Sequence, residues 1–246
     1  MSGIASLSPM PVDERGGFLG KSLQMQLQEQ SMIAKVGVLV FLSIMLTGCE
    51  IELDADLYVT DIEIVHEQPQ AFQAQLAIEV PTCKSEKIAD IGPKVLALFD
   101  ANSNATIAGC NNKGMTSLLG VVFEGELTSG EPTRDLTIVR VQTDENTAVL
   151  KPVLNPKFMQ RVNALLQENM QSLSFKSTTM TVTLHNDRSD PVSYVVPEGW
   201  IDDQPVQGGF GELERRQKVK VRGSNVLSAL LLDGSRPTIM RLGTSK

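Results

Sequence analysis

Histidine, aromatic side chains and cysteine are all scarce in this chain. Two histidines, one tryptophan, two tyrosines and three cysteines are spread over 246 residues, and aromatics make up 4%. So few rings leave little to stack on bases or to line a sugar groove. Basic side chains are outnumbered 22 to 29, for a net charge of −7, and no basic tract breaks that balance. This argues against nucleic acid as a partner, because its binders need a Lys/Arg face. No apolar run reaches the roughly 20 residues that a helix needs to cross a bilayer. Gly-x-Ser-x-Gly, Ser-x-x-Lys, His-Glu-x-x-His and P-loop patterns are all missing, so no catalytic residue is nominated. Cys-x-x-Cys is missing too, and neither His66 nor His185 stands near another ligand type at metal spacing, so no metal site is nominated either. Both histidines sit among polar turn or strand-end residues and read as surface side chains.

What is present is a mostly apolar run of 11 residues, Val36 to Leu46, preceded by Lys35 and followed by Thr47-Gly48-Cys49. Its length suits the h-region of a signal peptide, and Lys35 suits the basic n-region. The tetrapeptide Leu46-Thr47-Gly48-Cys49 resembles the lipobox of bacterial lipoproteins: an aliphatic residue, two small residues, then cysteine. The resemblance implies that signal peptidase II recognises Leu46, Thr47 and Gly48 and cuts before Cys49. It further implies that Cys49 carries acyl chains, the only covalent group expected; no cofactor is. Each buried methylene contributes about 0.8 kcal/mol, and two chains hold where one binds only marginally. Position +2 is Glu50 rather than Asp, which by the same resemblance directs the protein to the outer membrane, on its periplasmic face by default. Residues 1–31 precede the signal at 32–48 and carry Asp13, Glu14 and Glu29. They read either as a non-native lead, with translation starting at Met32 or Met25, or as a disordered one that is cut away.

The remaining segment, 49–246, is long enough for one cored domain. It keeps the net charge of −7, because three basic and three acidic side chains leave together. With Cys49 assigned to lipid, Cys83 and Cys110 remain. In an oxidising compartment they read as a disulfide, which over about 27 residues is equivalent to roughly 3 kcal/mol of unfolded-state entropy. The alternative is two free buried thiols.

Glu50 to Thr60 alternates strictly, with Ile51, Leu53, Ala55, Leu57 and Val59 on one side and Glu52, Asp54 and Asp56 on the other. That is a half-buried strand starting straight after the lipid. The acidic row could suggest calcium, but side chains two apart on a strand lie about 7 Å apart, and a solvated face is the simpler account. Phe72–Val80 is a second strand. Ser85 reads as the N-cap of a helix through Phe99, kinked or split at Gly92-Pro93. Ala105–Cys110 is a short strand returning Cys110 beside Cys83. Met115–Leu127 reads as a bulged strand, and 136–141 with 147–150 as a hairpin. Asn155-Pro156 opens a helix whose apolar stripe is Phe158, Val162, Leu165, Leu166 and Met170. Later come strands at 180–184 and 192–196, a tight turn at Gly208–Gly211, a charged edge strand at Lys218–Arg222 and a buried strand at Val226–Leu232. The order predicts an α+β domain: a mostly antiparallel sheet with two helices packed on one face.

Trp200, in Glu-Gly-Trp-Ile-Asp, is either a core cap or a half-exposed partner contact. The opening Cys49-Glu-Ile-Glu-Leu-Asp-Ala-Asp-Leu-Tyr-Val is loosely similar to uncharacterised envelope lipoproteins of bacteria and their phages. The functional expectation is a lipid-anchored, non-enzymatic binding or interaction domain at the outer membrane, held to the membrane and partnered by an envelope protein or complex. A phage- or plasmid-encoded exclusion lipoprotein and an anchored hydrolase are the alternatives.

Overall fold

The computed structural model describes residues 49–144, 146–168 and 173–243. The lead at 1–31, the signal peptide at 32–48 with Leu46, Thr47 and Gly48, and Met170 lie outside the described residues.

β1 (Cys49–Tyr58) and β2 (Gln70–Val80) pair antiparallel, with Leu53 opposite Leu76 and Ala55 opposite Ala74. Alternation buries Ile51, Leu53, Ala55 and Leu57, as expected. Between the strands lies α1 (Val59–Ile64), which buries Val59 and Ile62. After β2 comes α2 (Ser85–Leu96). Ser85 is its first residue rather than its cap, and Pro93 sits inside the final turn, so the helix stops within three residues of it. β3 (Thr106–Lys113) and β4 (Thr116–Thr128) form a hairpin. β4 follows β2 from Ser117 to Leu127 without a register shift; the expected bulge lies in β3, between Ile107 and Gly109. β5 (Leu136–Asp144) and β6 (Thr147–Leu154) form the next hairpin. α3 (Pro156–Glu168) starts where expected: the Asn155 side chain accepts the Lys157 N–H at 2.9 Å, and Phe158, Val162 and Leu166 are buried. β7 (Leu173–His185), β8 (Val192–Ile201), β9 (Gln204–Leu213), β10 (Lys218–Gly223), α4 (Asn225–Leu232) and β11 (Met240–Gly243) complete the chain.

The sheet closes on itself. Nine strands run in the order β10, β7, β1, β2, β4, β5, β6, β11, β8 and back to β10, forming a closed barrel. β3 and β9 hang outside the circuit on β4 and β8. Two steps of the circuit, β1–β7 and β4–β5, are parallel. Closure goes through β8. Tyr194 and Val195 pair with β11 and Gly199–Ile201 with β10, while the same residues pair with β9 on the opposite edge. β10 and β11 therefore lie end to end along one edge of β8, like one strand interrupted by α4. Inward residues of the circuit, such as Leu53, Leu76, Met180, Val182 and Val221, form a single core. Phe158 and Val162 of α3 line a small cavity with Ile51, Leu53 and Leu76, so this helix packs against the apolar face that the strands turn inward.

The expected α+β domain, a mostly antiparallel sheet with two helices on one face, is thus corrected to a mostly β, closed barrel. Alternation reports which face is apolar, but not whether the sheet's two ends meet. Three local expectations change with it. Gly208–Gly211 lies within β9, and the turn is Asp202-Asp203, both with positive φ (47° and 66°). Lys218–Arg222 is not an edge: β7 and β8 flank it, and Val219 and Val221 are buried. Val226–Leu232 is helical, because Ser224 caps the segment and accepts the Leu227 N–H at 3.2 Å.

Parallel strands are commonly joined by crossovers of a dozen residues or more. Here the loop between β4 and β5 runs only from Ser129 to Asp135, and two buried carboxylates brace it. Glu126 accepts the backbone N–H (2.9 Å) and hydroxyl (2.8 Å) of Thr133. Asp135, with no exposed surface, accepts the Asp100 N–H at 2.7 Å and the Ser103 hydroxyl at 3.0 Å, and pairs with Arg161 of α3 at 2.8 Å. Burial pushes the Asp135 carboxyl upward, against these donors. Asp135→Ala is expected to cost about 3 kcal/mol in urea unfolding, because it strands the amide, the hydroxyl and part of the guanidinium together. A loss below about 1 kcal/mol would contradict this bracing role.

Candidate functional site

Ladder registers bring three separate pieces of chain to one end of the barrel. Cys49 is the first residue of β1 and pairs with Leu173 of β7. Ile51 faces Ile78, which sets the end of β2 at Val80 beside it. Val80 pairs with Ser117, and Lys113 with Thr116, so the Gly114-Met115 turn lies at this end too. The Met115 side chain is fully exposed. Lys113 reaches Glu52 at 2.6 Å and Glu50 at 3.6 Å, and these carboxylates hold its ammonium charged. Cys83 and Cys110 form the expected disulfide, with Cα atoms 5.5 Å apart, tying the approach to α2 onto β3.

Next to Val80, where α2 and α3 meet the end of β2, lies a cleft of about 190 Å³. Ile78, Val80, Ile91, Leu165 and Leu166 give it an apolar floor, and Lys87, Asp90 and Lys94 stand along it from α2. These three occupy one face of the helix, being three and four residues apart. Glu79 also borders the cleft and accepts the Glu50 N–H at 3.0 Å.

The row of acids on β1 faces outward and is dispersed among separate partners. Glu52 takes Lys113, Asp54 bonds Thr181, and Asp56 lies 3.0 Å from the His185 imidazole. Burial pushes the Asp54 carboxyl up, against the Thr181 bond and nearby Lys220. His185 stacks on Tyr58 with ring centroids 4.9 Å apart. His66 is exposed, with Nδ1 2.6 Å from the Glu63 carbonyl. Among the described residues no group of three or more His, Cys, Asp or Glu is placed to hold a metal ion.

Trp200 is half-buried, and the Arg222 guanidinium covers its ring at 4.6 Å. The aromatic that projects instead is Phe210 on β9, 84% exposed and opposite the exposed Val195. β9 pairs on one edge only, with β8, among the described residues. Sequence reading missed Phe210 because the flanking glycines imitated a turn. It missed Met115 because the residue stands at the head of an apolar run and read as its first strand residue.

Residues 51–243 match the model of a family described as "Domain of unknown function (DUF7424)". No curated protein and no solved structure matches the chain.

Two outcomes follow from this geometry. Cys83→Ser/Cys110→Ser is expected to lose roughly 3 kcal/mol in chemical unfolding, and the reduced wild type to match it. The folded state raises the pKa of Asp54, so it holds that proton more tightly than the unfolded chain does. The stability contribution of Asp54 is therefore present at low pH and lost as pH rises through the folded value. Asp54→Asn should melt at or above the wild-type temperature at pH 7, and the difference should vanish as pH falls below the ordinary carboxylate range. A lower melting temperature at pH 7 would contradict it.

Proposed function

The chain belongs to the DUF7424 family, whose description carries no activity, and we propose on that premise that it is a lipid-anchored envelope lipoprotein displaying a non-enzymatic interaction domain. Cys49 is the anchor, and the outer membrane, on its periplasmic face, is the destination. The observation that carries the reading is how closely two boundaries meet at Cys49. The signal-like run with Lys35, Val36–Leu46 and the lipobox-like Leu46-Thr47-Gly48 ends there, and the family match opens just after it. The family match begins two residues later, at Ile51, so cleavage before Cys49 would leave the whole matched region intact. A disulfide between Cys83 and Cys110 agrees with an oxidising compartment.

The interaction half of the reading rests on β9. Its outer edge offers backbone donors and acceptors to a further strand, and Phe210 and Val195 supply apolar contact beside it. An envelope protein or complex is the partner that this edge suits.

Replacing Cys49 tests the anchor. Cys49→Ala is expected to stay uncleaved, retaining its signal-like run and carrying no acyl mass, while the wild-type protein begins at residue 49 and shows the added mass of acyl chains. A Cys49→Ala variant still processed to a chain that starts at residue 49, or a wild-type protein of unmodified mass, would end the lipoprotein reading.

A further inference from the structure

Resting on that lipoprotein reading, we propose that the end of the barrel bearing Cys49 is a membrane-seating face. Met115 inserts among acyl chains there, and the cleft beneath α2 takes the headgroup of a zwitterionic phospholipid. Three observations carry this. First, Cys49 has no tether. It is already paired with Leu173, and Ile51 is paired with Ile78. One extended residue spans only about 3.3 Å. Chains attached at Cys49 and sunk in a bilayer therefore draw Val80, Pro81 and the Gly114-Met115 turn to the headgroup layer with it.

Second, what stands at this end suits that layer. Met115 is fully exposed at a hairpin tip, a long flexible apolar side chain that no surface among the described residues covers. Glu50 and Glu52, acids next to the anchor, would be repelled by lipid phosphates, and Lys113 between them offsets one of the two charges. Third, the cleft carries charges of both signs over an apolar floor. Lys87 and Lys94 suit a phosphate, Asp90 suits an ammonium, and Ile78, Ile91 and Leu165 suit the start of an acyl chain. A purely basic rim would fit an anionic lipid; this mixed rim matches a phosphate and an amine in one headgroup. The long stems of the two lysines let their charges reach the phosphates while their methylenes stay in apolar contact.

The test uses the full lipoprotein, purified from membranes, checked by intact mass and reconstituted into phosphatidylethanolamine vesicles containing brominated acyl chains. Met115→Trp in a Trp200→Phe background reports insertion at the seat, and Phe210→Trp in the same background reports β9. Tryptophan at 115 is expected to be quenched and tryptophan at 210 to be spared. Adding Lys87→Glu and Lys94→Glu should reduce quenching at 115 by about twofold, through repulsion of the lipid phosphates. An acylated protein with no quenching at 115 overturns the seat and leaves the anchor standing. Quenching without acyl mass overturns the anchor and leaves the seat standing. A protein that is neither acylated nor quenched loses both. Quenching that ignores the lysine changes, or that is as strong in phosphatidylglycerol vesicles, overturns the headgroup assignment.

Discussion

The buried carboxylate of Asp135 holds together the part of the chain on which closure of the sheet depends. β4 and β5 run parallel although only seven residues join them, so the chain must turn back within a space that offers its loop little regular pairing. Backbone groups in such a turn would be stranded if nothing met them. Asp135 meets the turn at Ala101–Ser103 through the Asp100 amide and the Ser103 hydroxyl, and reaches α3 through Arg161. Its own carbonyl accepts the Asn155 N–H, at the cap of the same helix. Glu126 closes the other side of the loop on Thr133. Burying two acids is costly in itself, and the donors gathered around them offset part of that cost. With this turn fixed, β5 and β6 are placed to carry the sheet on toward β11.

β8 then completes what the loop begins. A strand that bonds β11 through one half and β10 through the other can join two ends of a sheet that do not meet directly. The interruption between β10 and β11 has a use as well. It lets α4 drop Leu227 and Leu231 into the core at a place where a continuous strand would present alternate residues outward. Closure removes nearly every free edge, leaving β3 and β9 as the strands outside the circuit.

Local periodicity made much of this legible in the sequence. The alternation of Ile51 to Val59, the second strand at Phe72–Val80 and the Asn155-Pro156 helix start all express constraints that act within a few residues. The partnership of Cys83 with Cys110 was legible from their number and the expected compartment. The barrel was not, because its closing pairs, Arg222 with Trp200 and Leu242 with Tyr194, join residues whose patterns are the same in an open sheet. Lys218–Arg222 looked like an edge since its charges point outward in either case. Val226–Leu232 is a continuous apolar run, and such runs do not distinguish a buried strand from a buried helix; the deciding signal was Ser224 just before it. Of the candidate site, the anchor residue was readable, whereas the cleft assembles from β2, α2 and α3 and has no signature in any one of them.

The placement of Cys49 within a ladder has a mechanical consequence. A pull on that residue along the chain is a pull along β1, which lies inside the sheet between β2 and β7. Five registered pairs on one side and nine on the other share the load, and their hydrogen bonds stand across the direction of force. The strand is loaded in shear, so its bonds must yield together rather than one after another. A domain hung from its first strand in this way will resist being dragged open by its own anchor, where one hung from an edge strand would peel.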